Sequence, residues 1–215
     1  MARPSIFSPE AKRWRLRPQP GRSESRCRTR RCVIDAVPII PENRYAISGA
    51  FAAFYYVEAS VTEDLDVLVA FDRPSSEKKS GLTTLGPIFS YLGNKGYSEH
   101  RGGGIVVEGW PVQFLPVASD LDVEALARAR DIELQVGDGE SPVRTRVLRP
   151  EHIVATSLRV GRPKDFLRIT LFLEEQAVDM SLLREVLDRH GLDDSWQSFC
   201  KRAGIPDPFD LHRRT

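Results

Sequence analysis

The fold is decided by a stretch in two parts, Tyr45-Ala-Ile-Ser-Gly-Ala-Phe-Ala-Ala-Phe and Thr62-Glu-Asp-Leu-Asp-Val-Leu-Val. Its first three residues suit a short buried strand, which Gly49 ends before a helix of small residues over 50–57. The branched apolar residues of 65–69 predict a second strand in the interior of a sheet. This strand–helix–strand unit is the frame around which the other elements are expected to assemble.

Two carboxylates, Asp64 and Asp66, stand at the start of the second strand with one residue between them. Because side chains alternate along a strand, both are predicted to face the same side. Two like charges in this position repel each other unless a cation lies between them, and Mg²⁺ carrying a phosphate suits such oxygen ligands. The alternative is that one aspartate caps a turn while the other is solvated.

The order of these elements resembles the nucleotidyltransferase superfamily, which has the DNA polymerase β-like fold. The matching motifs are Ile47-Ser-Gly-Ala and, after the helix, Asp64-Leu-Asp-Val. Similarity to the AbiEii-type toxins and related nucleotidyltransferase-like proteins is carried by Val61-Thr-Glu-Asp-Leu-Asp, Arg149-Pro-Glu-His-Ile-Val-Ala and Gly161-Arg-Pro-Lys-Asp. The resemblance runs from about residue 45 to the C-terminus. It implies an α/β (α+β) fold with a nucleotidyltransferase-like mixed sheet, flanking helices and a C-terminal helical subdomain.

The resemblance also implies an activity: transfer of a nucleoside monophosphate from an NTP to a hydroxyl of RNA, such as tRNA, or of another acceptor. Mg²⁺ is the expected cofactor, with Asp64 and Asp66 as its ligands. The expected catalytic residues are three carboxylates: Asp64, Asp66 and Asp165. The residues expected to bind the nucleotide come from the glycine bend and from a later basic segment: Ser48, Gly49, Arg162 and Lys164. A toxin of this branch would have an antitoxin protein as its partner.

A second group of candidates surrounds Lys164 and Asp165. In the AbiEii-like branch a basic residue followed by Asp lies near the nucleotide at this place, so the resemblance carries this role over to both residues. A lysine in the preceding helix of the family has no match, because Ser157 stands about where it would be. Arg159 or Arg162 is a candidate to supply a charge that faces phosphate instead. Alternatively, Asp165 is a first-turn residue that only stabilises the helix macrodipole.

One position departs from the pattern of those superfamily enzymes that use three carboxylates. Their third carboxylate lies on a strand paired beside the Asp-x-Asp strand, and the corresponding place is Gln113. An amide cannot deprotonate a hydroxyl and is a weaker, neutral metal ligand. Glu108 is the nearest acid that can serve in its place. Gln113 and Ser157 together support an alternative function, a catalytically impaired binding or regulatory protein that kept the fold.

Three regions are predicted along the chain. Residues 1–40 form a basic arm, expected to be disordered, with ten Lys/Arg against three Asp/Glu, whereas the remainder carries 21 against 27. Residues 41–148 form the nucleotidyltransferase-like core, and residues 149–215 form the helical subdomain. The arm can contact RNA phosphates, remain a solvated tail, or be translated sequence upstream of the true start.

Further elements follow from periodicity and from turn residues. The core is completed by a helix, a glycine-rich loop and a hairpin: 79–92, 93–104, and 105–115 with its turn at 109–111. The pair Gly86-Pro87 is expected to break that first helix. A helix over 121–130 and strands over 132–136 and 143–148 come next. Four helices are then predicted, with starts near Pro150, near Pro163, at Asp179 or Ser181, and near Asp193.

The cysteines and the hydropathy of the sequence indicate the cellular compartment. Three widely placed cysteines, Cys27, Cys32 and Cys200, form neither a disulfide framework nor a zinc motif. No apolar run approaches the roughly 20 residues needed to span a membrane, and the N-terminus lacks the apolar segment of a signal peptide. The sequence therefore predicts a cytoplasmic protein without a membrane partner.

Overall fold

The computed structural model describes residues 40–41, 44–57, 62, 64–70, 85–134 and 142–210. In this part of the chain, seven strands form one mixed sheet: β1 (Tyr45–Ser48), β2 (Leu65–Val69), β3 (His100–Arg101), β4 (Gly104–Val107), β5 (Trp110–Pro116), β6 (Arg130–Leu134) and β7 (Val143–Val147). Their spatial order is β3-β4-β5-β2-β1-β7-β6. The pairs β2–β5 and β1–β7 are parallel, and the other pairs are antiparallel. The expectation that β2 is an inner strand is confirmed.

The described helices flank this sheet or follow it: α1 (Gly49–Ala53), α2 (Gly86–Asn94), α3 (Asp120–Ala127), α4 (Pro150–Val160), α5 (Pro163–Glu174), α6 (Met180–Arg189) and α7 (Asp193–Ala203). The last four come one after another, and α4 packs against α5, α6 and α7. Helix α4 also touches α1 and α3, so the C-terminal helices are joined directly to the elements beside β2. The predicted α/β fold, with a mixed sheet, flanking helices and C-terminal helices, is confirmed.

Local sequence explains where the C-terminal helices begin and end. Both α4 and α5 start with proline, whose missing N–H costs nothing in the first turn. Gly161 then ends α4 in the left-handed conformation, with a φ of 70° that glycine adopts without strain. Helix α6 begins after Asp179, whose side chain accepts hydrogen bonds from the backbone N–H groups of Ser181 and Leu182.

The hairpin β4–β5 differs from the prediction at its turn. The turn consists of Glu108 and Gly109, both with positive φ (50° and 89°), so Trp110 and Pro111 belong to β5. Two central residues with positive φ make the two-residue turn whose twist matches that of the flanking strands. The prediction of a turn at 109–111 is therefore wrong: the observed turn begins one residue earlier and ends two residues earlier.

Two helices also differ from their predicted bounds. Gly86-Pro87 was expected to break a helix, but the pair forms the first turn of α2, where proline is tolerated. Residues 79–84 of that prediction lie outside the described part of the chain, and α2 continues to Asn94. Helix α1 ends at Ala53, earlier than predicted, and its chain continues as turns. These turns bring the hydroxyl of Tyr56 to the carbonyl oxygen of Leu148, to which it donates a 3.0 Å hydrogen bond.

The described residues cover only part of the three predicted regions. The basic arm of residues 1–40 lies outside the described residues except for Ile40, which is buried. Its predicted disorder and RNA contact stay predictions. Among the described residues, no helix combines the length and the apolar character needed to cross a bilayer.

Candidate active site

The glycine bend lies directly against one of the two carboxylates. Ser48, the last residue of β1, pairs with Asp66 of β2, and the chain then turns at Gly49 with a φ of 63°. A Cβ added at Gly49 would lie 3.0 Å from Cγ of Asp66 and still nearer to its Oδ2. Only glycine provides both this backbone conformation and this close approach. The side chain of Asp66 therefore covers the bend between β1 and α1.

Asp64 is held on both of its oxygens by neighbouring side chains. Its Oδ1 accepts a 2.9 Å hydrogen bond from the hydroxyl of Thr62. Its Oδ2 lies 3.4 Å from Nε2 of Gln113, which also donates a 2.9 Å hydrogen bond to the carbonyl oxygen of Gly102. Gln113 is in turn the cross-strand partner of Asp66 in the β2–β5 pair. The two aspartates thus lie on one side of the sheet, as the strand alternation predicts.

The place of Gln113 agrees with the expectation for a third carboxylate position. Parallel pairing of β2 and β5 sets Gln113 beside Asp66, and its amide reaches Asp64. An amide nitrogen can only donate here, so the pair of acids has a neutral neighbour where a carboxylate would add a negative charge. Glu108 lies in the turn before β5 and accepts a 2.8 Å hydrogen bond from the hydroxyl of Tyr97.

The electrostatics of the pair favour a cation. Burial is the main cause that raises the pKa of Asp66, and the negative charge of Asp64 raises that pKa further. Three cations at or near the N-terminus of α5 lower it: Arg168, Lys164 and Arg162. The charged form of a buried carboxylate beside a second carboxylate is costly. Positive charge arriving between Asp64 and Asp66 would relieve that cost.

Arg162 connects the basic segment to the acids. Its Nε and Nη2 donate hydrogen bonds of 2.8 and 3.3 Å to the two oxygens of Asp165. Hydrogen bonding to Asp165 is the main cause that raises the pKa of Arg162, and the charges of Asp66 and Asp64 act in the same direction. The exposed Lys164 lies between Arg162 and Asp165 in sequence. The charges of Arg162 and Lys164 both lower the pKa of Asp66, so the basic segment acts on that carboxylate.

Asp165 is almost completely buried, with 1% of its side chain exposed, and it is fully engaged by partners. Besides Arg162, it accepts a 3.1 Å hydrogen bond from Nη1 of Arg168. It also accepts a 3.2 Å hydrogen bond from the backbone N–H of Arg162, the residue before α5. The alternative that Asp165 stabilises the helix start has this direct geometric support. Its catalytic role stays a prediction.

Arg168 also binds Asp165, although no motif of the sequence singles it out. It lies one turn after Asp165 in α5, and its side chain is only 12% exposed. Besides its bond to Asp165, Nη1 of Arg168 donates a 3.3 Å hydrogen bond to the hydroxyl of Ser157 in α4. In the sequence, Arg168 follows Asp165 by three residues, a spacing that brings two side chains together on one face of a helix.

Two other candidates lie elsewhere or make no distinctive contact. Arg159 pairs with Asp122 and contacts the hydroxyl of Ser119, so it stabilises the start of α3. Of the two alternatives for a charge that faces phosphate, Arg162 is the one whose charge lowers the pKa of Asp66. Ser48 is buried at the bend, and its side chain makes no capping hydrogen bond to α1.

The donor set of the site can be tested against the expected Mg²⁺. Across the described residues, no group of three or more His, Cys, Asp or Glu side chains is arranged to hold a metal ion. Mg²⁺, however, is usually bound through one or two carboxylates together with water and substrate phosphates. Asp64 and Asp66 supply two carboxylates on one side of the sheet, and burial with the neighbouring charge of Asp64 raises the pKa of Asp66. The residues present fit Mg²⁺ that arrives with a phosphate.

Comparison with known proteins adds no assignment. No protein-family model matches the chain, and no curated protein matches it. The nucleotidyltransferase resemblance therefore stays a prediction from the sequence motifs. Function follows as a proposal from the geometry around Gly49, Asp64 and Asp66.

Proposed function

We propose that the protein is a metal-dependent nucleotidyltransferase that transfers a nucleoside monophosphate from an NTP to a hydroxyl of RNA or of another acceptor. One observation carries this proposal: two carboxylates share one side of the sheet at a glycine bend, and the cations of α5 act on them. Such a combination suits a metal–triphosphate, because the acids need positive charge and the arginines and lysine suit phosphate.

Each residue has a specific task in this proposal. Asp64 and Asp66 would hold Mg²⁺, which when bound supplies charge stabilisation for the phosphates. Gly49, without a side chain, leaves room for the carboxylate of Asp66 against the bend. Arg162 and Lys164 hold the triphosphate from the side of α5. Catalysis then depends mainly on alignment of the acceptor with the α-phosphate.

The transfer is a displacement at phosphorus. The hydroxyl oxygen of the acceptor forms a bond to the α-phosphorus, the bond from that phosphorus to the bridging oxygen breaks, and pyrophosphate leaves. The hydroxyl proton must pass to a base. Gln113 cannot accept it, so the proton goes to a carboxylate of the Asp64–Asp66 pair or to water.

A labelling experiment tests this activity. Purified protein is incubated with Mg²⁺, cellular RNA and each of four NTPs labelled at the α-phosphate. We expect label in RNA or in another macromolecule with at least one NTP, and none with Asp66→Ala. A full screen without any transferred label would contradict the proposed activity.

A second candidate is a binding or regulatory protein that has lost turnover. The observation in its favour is Gln113, whose neutral amide occupies the position beside Asp66 and approaches Asp64. This candidate predicts metal-dependent nucleotide binding without transfer of label. Binding and labelling measured on the same protein sample therefore separate the two candidates.

The resemblance to AbiEii-type toxins adds a cellular version of the first candidate, in which an antitoxin protein restrains the activity. It predicts growth arrest when the protein is expressed alone. Asp66→Ala should relieve that arrest, because it removes a metal ligand. Arrest that persists with Asp66→Ala would argue against toxicity by nucleotidyl transfer.

A further inference from the structure

Three arginines meet at the edge of the sheet where β1 and β7 end: Arg128, Arg130 and Arg149. We propose that this arginine surface binds the phosphate backbone of an RNA strand and brings that strand to the site as the acceptor. The inference rests on the proposed function and deepens it, because it names RNA as the acceptor class and identifies the surface that holds it.

Strand register places the arginine surface beside the candidate active site. Arg130, the first residue of β6, pairs with Val147 of β7, which pairs with Ile47 of β1. Ile47 pairs in turn with Val67, the residue after Asp66. Since β6 and β2 are three strand spacings apart, the backbone of Arg130 lies roughly 14 Å from that of Val67. At a rise of about 3.4 Å per nucleotide, this distance corresponds to about four stacked nucleotides.

The ends of two parallel strands bring the arginines and the glycine bend to the same edge. Gly49 directly follows the end of β1, and Arg149 follows the end of its parallel neighbour β7 by two residues. The strands are still joined at this edge, because the backbone N–H of Leu148 donates a 3.0 Å hydrogen bond to the carbonyl oxygen of Ile47. An RNA strand that lies along this edge therefore contacts the arginines and reaches the bend.

The three arginines carry more positive charge than their acidic neighbour neutralises. Nε of Arg149 donates a 2.8 Å hydrogen bond to the carbonyl oxygen of Arg128, which sets the two residues opposite each other. Nε of Arg128 lies 3.3 Å from Glu124, but Arg189 already binds both oxygens of that carboxylate, at 2.8 and 3.1 Å. Within the described part of the chain, Arg130 is exposed and neither it nor Arg149 has an ion pair. Like charges that face each other in this way favour an anion between them.

The acids of β6 do not cancel this charge, because each of them pairs with an arginine opposite it on β7. Asp131 lies 3.4 Å from Nε of Arg146, and Glu133 lies 3.5 Å from Nε of Arg144. The chain after residue 40 carries 21 Lys/Arg against 27 Asp/Glu, so its net charge would repel RNA. A local excess of arginine then decides where RNA approaches, and the planar guanidinium suits the oxygens of a phosphate.

Salt-dependent RNA binding tests the arginine surface. Fluorescence anisotropy of a labelled single-stranded RNA of about ten nucleotides compares the wild type with the Arg130→Gln, Arg149→Gln double variant. Each lost contact to a single strand should lower the slope of log affinity against log salt by about 0.7, so the double variant should lose about 1.4. This difference makes its RNA binding about 25-fold weaker in roughly 0.1 M salt, and about equal to that of the wild type near 1 M. The loss should be the same for every RNA sequence, because phosphate contacts carry no sequence information.

The matched control is the Lys201→Gln, Arg202→Gln double variant, which removes the same charge from the last turn of α7. It should keep the slope of the wild type. Polyglutamate is the probe for an acidic protein segment in place of RNA. Polyglutamate that binds as tightly as RNA, and that loses its affinity in the Arg130→Gln, Arg149→Gln variant, would overturn the assignment to RNA.

The outcomes separate this inference from the proposed function. If the double variant keeps the RNA affinity and the slope of the wild type, or if the wild type binds no RNA, the inference is wrong. The proposed function then survives wherever label is still transferred from an NTP. If the wild type binds RNA through these arginines but transfers no label, the surface stands and the proposed transfer is wrong.

Thermal unfolding of each variant reports whether the substitutions disturb the fold. If the double variant does not fold, Arg130→Gln alone replaces it, since this exposed side chain makes no ion pair within the described residues. Its slope should fall by about 0.7, which is about fivefold weaker binding in roughly 0.1 M salt. An unchanged slope of this single variant would overturn the inference.

Discussion

Substitution of Gly49 by alanine tests the contact on which the site depends. Two effects follow from the structure. At a φ of 63°, a Cβ costs about 1–2 kcal/mol of backbone strain. The same Cβ would lie 3.0 Å from Cγ of Asp66, and 3.4 Å is the ordinary lower limit of contact, so Cγ must retreat by 0.4 Å. Oδ2 lies nearer still and must move further, by roughly 1 Å, and a shift of this size at a reacting centre can cost about 100-fold.

We therefore expect Gly49→Ala to lose about 1–2 kcal/mol of stability and to weaken metal-dependent NTP binding or transfer by about two orders of magnitude. Urea unfolding measures the first effect, and calorimetry or the labelling assay measures the second. Gly204→Ala is the matched control, because Gly204 ends α7 with a similar φ of 67° and a Cβ there meets nothing within 4 Å. It should lose comparable stability and keep its affinity. Equal affinity together with equal transfer activity of Gly49→Ala and the wild type would refute the reasoning that Asp66 acts from this position.

Three further predictions concern the charges. Asp66→Asn should be more stable than the wild type at pH 7, as measured by urea unfolding. The pKa of Asp66 is raised in the folded state, so its ionisation opposes folding as the pH rises above 3.8. A less stable variant would contradict this. Gln113→Glu should bind Mg²⁺ about tenfold more tightly than the wild type, since a third carboxylate adds ligand charge. The uncharged Gln113→Met is the control and should not bind Mg²⁺ more tightly. Equal Mg²⁺ affinities of the two variants in a titration would contradict this prediction. Burial lowers the pKa of His152 from 6.5 to about 4, so this histidine is protonated in the unfolded state at a higher pH than in the folded state. The free energy of unfolding should therefore fall by up to about 3 kcal/mol as the pH drops from 6.5 to 4. His152→Phe should remove that part of the acid loss, and an unchanged pH profile would count against it.

The cause of the His152 effect lies in its surroundings. The ring is 2% exposed, and neither ring nitrogen has a hydrogen-bond partner among the residues that the structure describes. Its Nε2 lies 3.5 Å from an oxygen of Glu124, which is too long for a good hydrogen bond. Hydrogen bonding to Arg189 is the main cause that lowers the pKa of Glu124 to about 2, so its own contribution is lost only between pH 4.5 and 2. The two titrations therefore overlap only between about pH 4 and 4.5.

Much of the fold followed from local sequence. Alternation placed Asp64 and Asp66 on one side, and the glycine after a short apolar strand located the bend. Proline and glycine marked the bounds of α4, which the structure confirms. The register that sets Gln113 beside Asp66 agrees with the place that family resemblance gave it. These features depend on residues that are neighbours in sequence or on the pairing of β2 with β5.

The remaining features depend on contacts between distant elements. Arg168 meets Ser157 across two helices, and no local pattern fixes which rotation α5 adopts against α4. The engagement of Asp165 by two arginines is likewise set by helix packing. The turn at Glu108 was missed because a positive φ is uncommon for glutamate.

The central claim is that Asp64 and Asp66 form a site for a metal-bound nucleotide. Its most direct test is calorimetric titration of each NTP into the wild type and into the shape-preserving Asp64→Asn, Asp66→Asn double variant, with Mg²⁺ and with EDTA. We expect binding by the wild type that requires Mg²⁺ and is absent from the double variant. Binding of equal strength in all four combinations, or no binding by the wild type, would contradict the account.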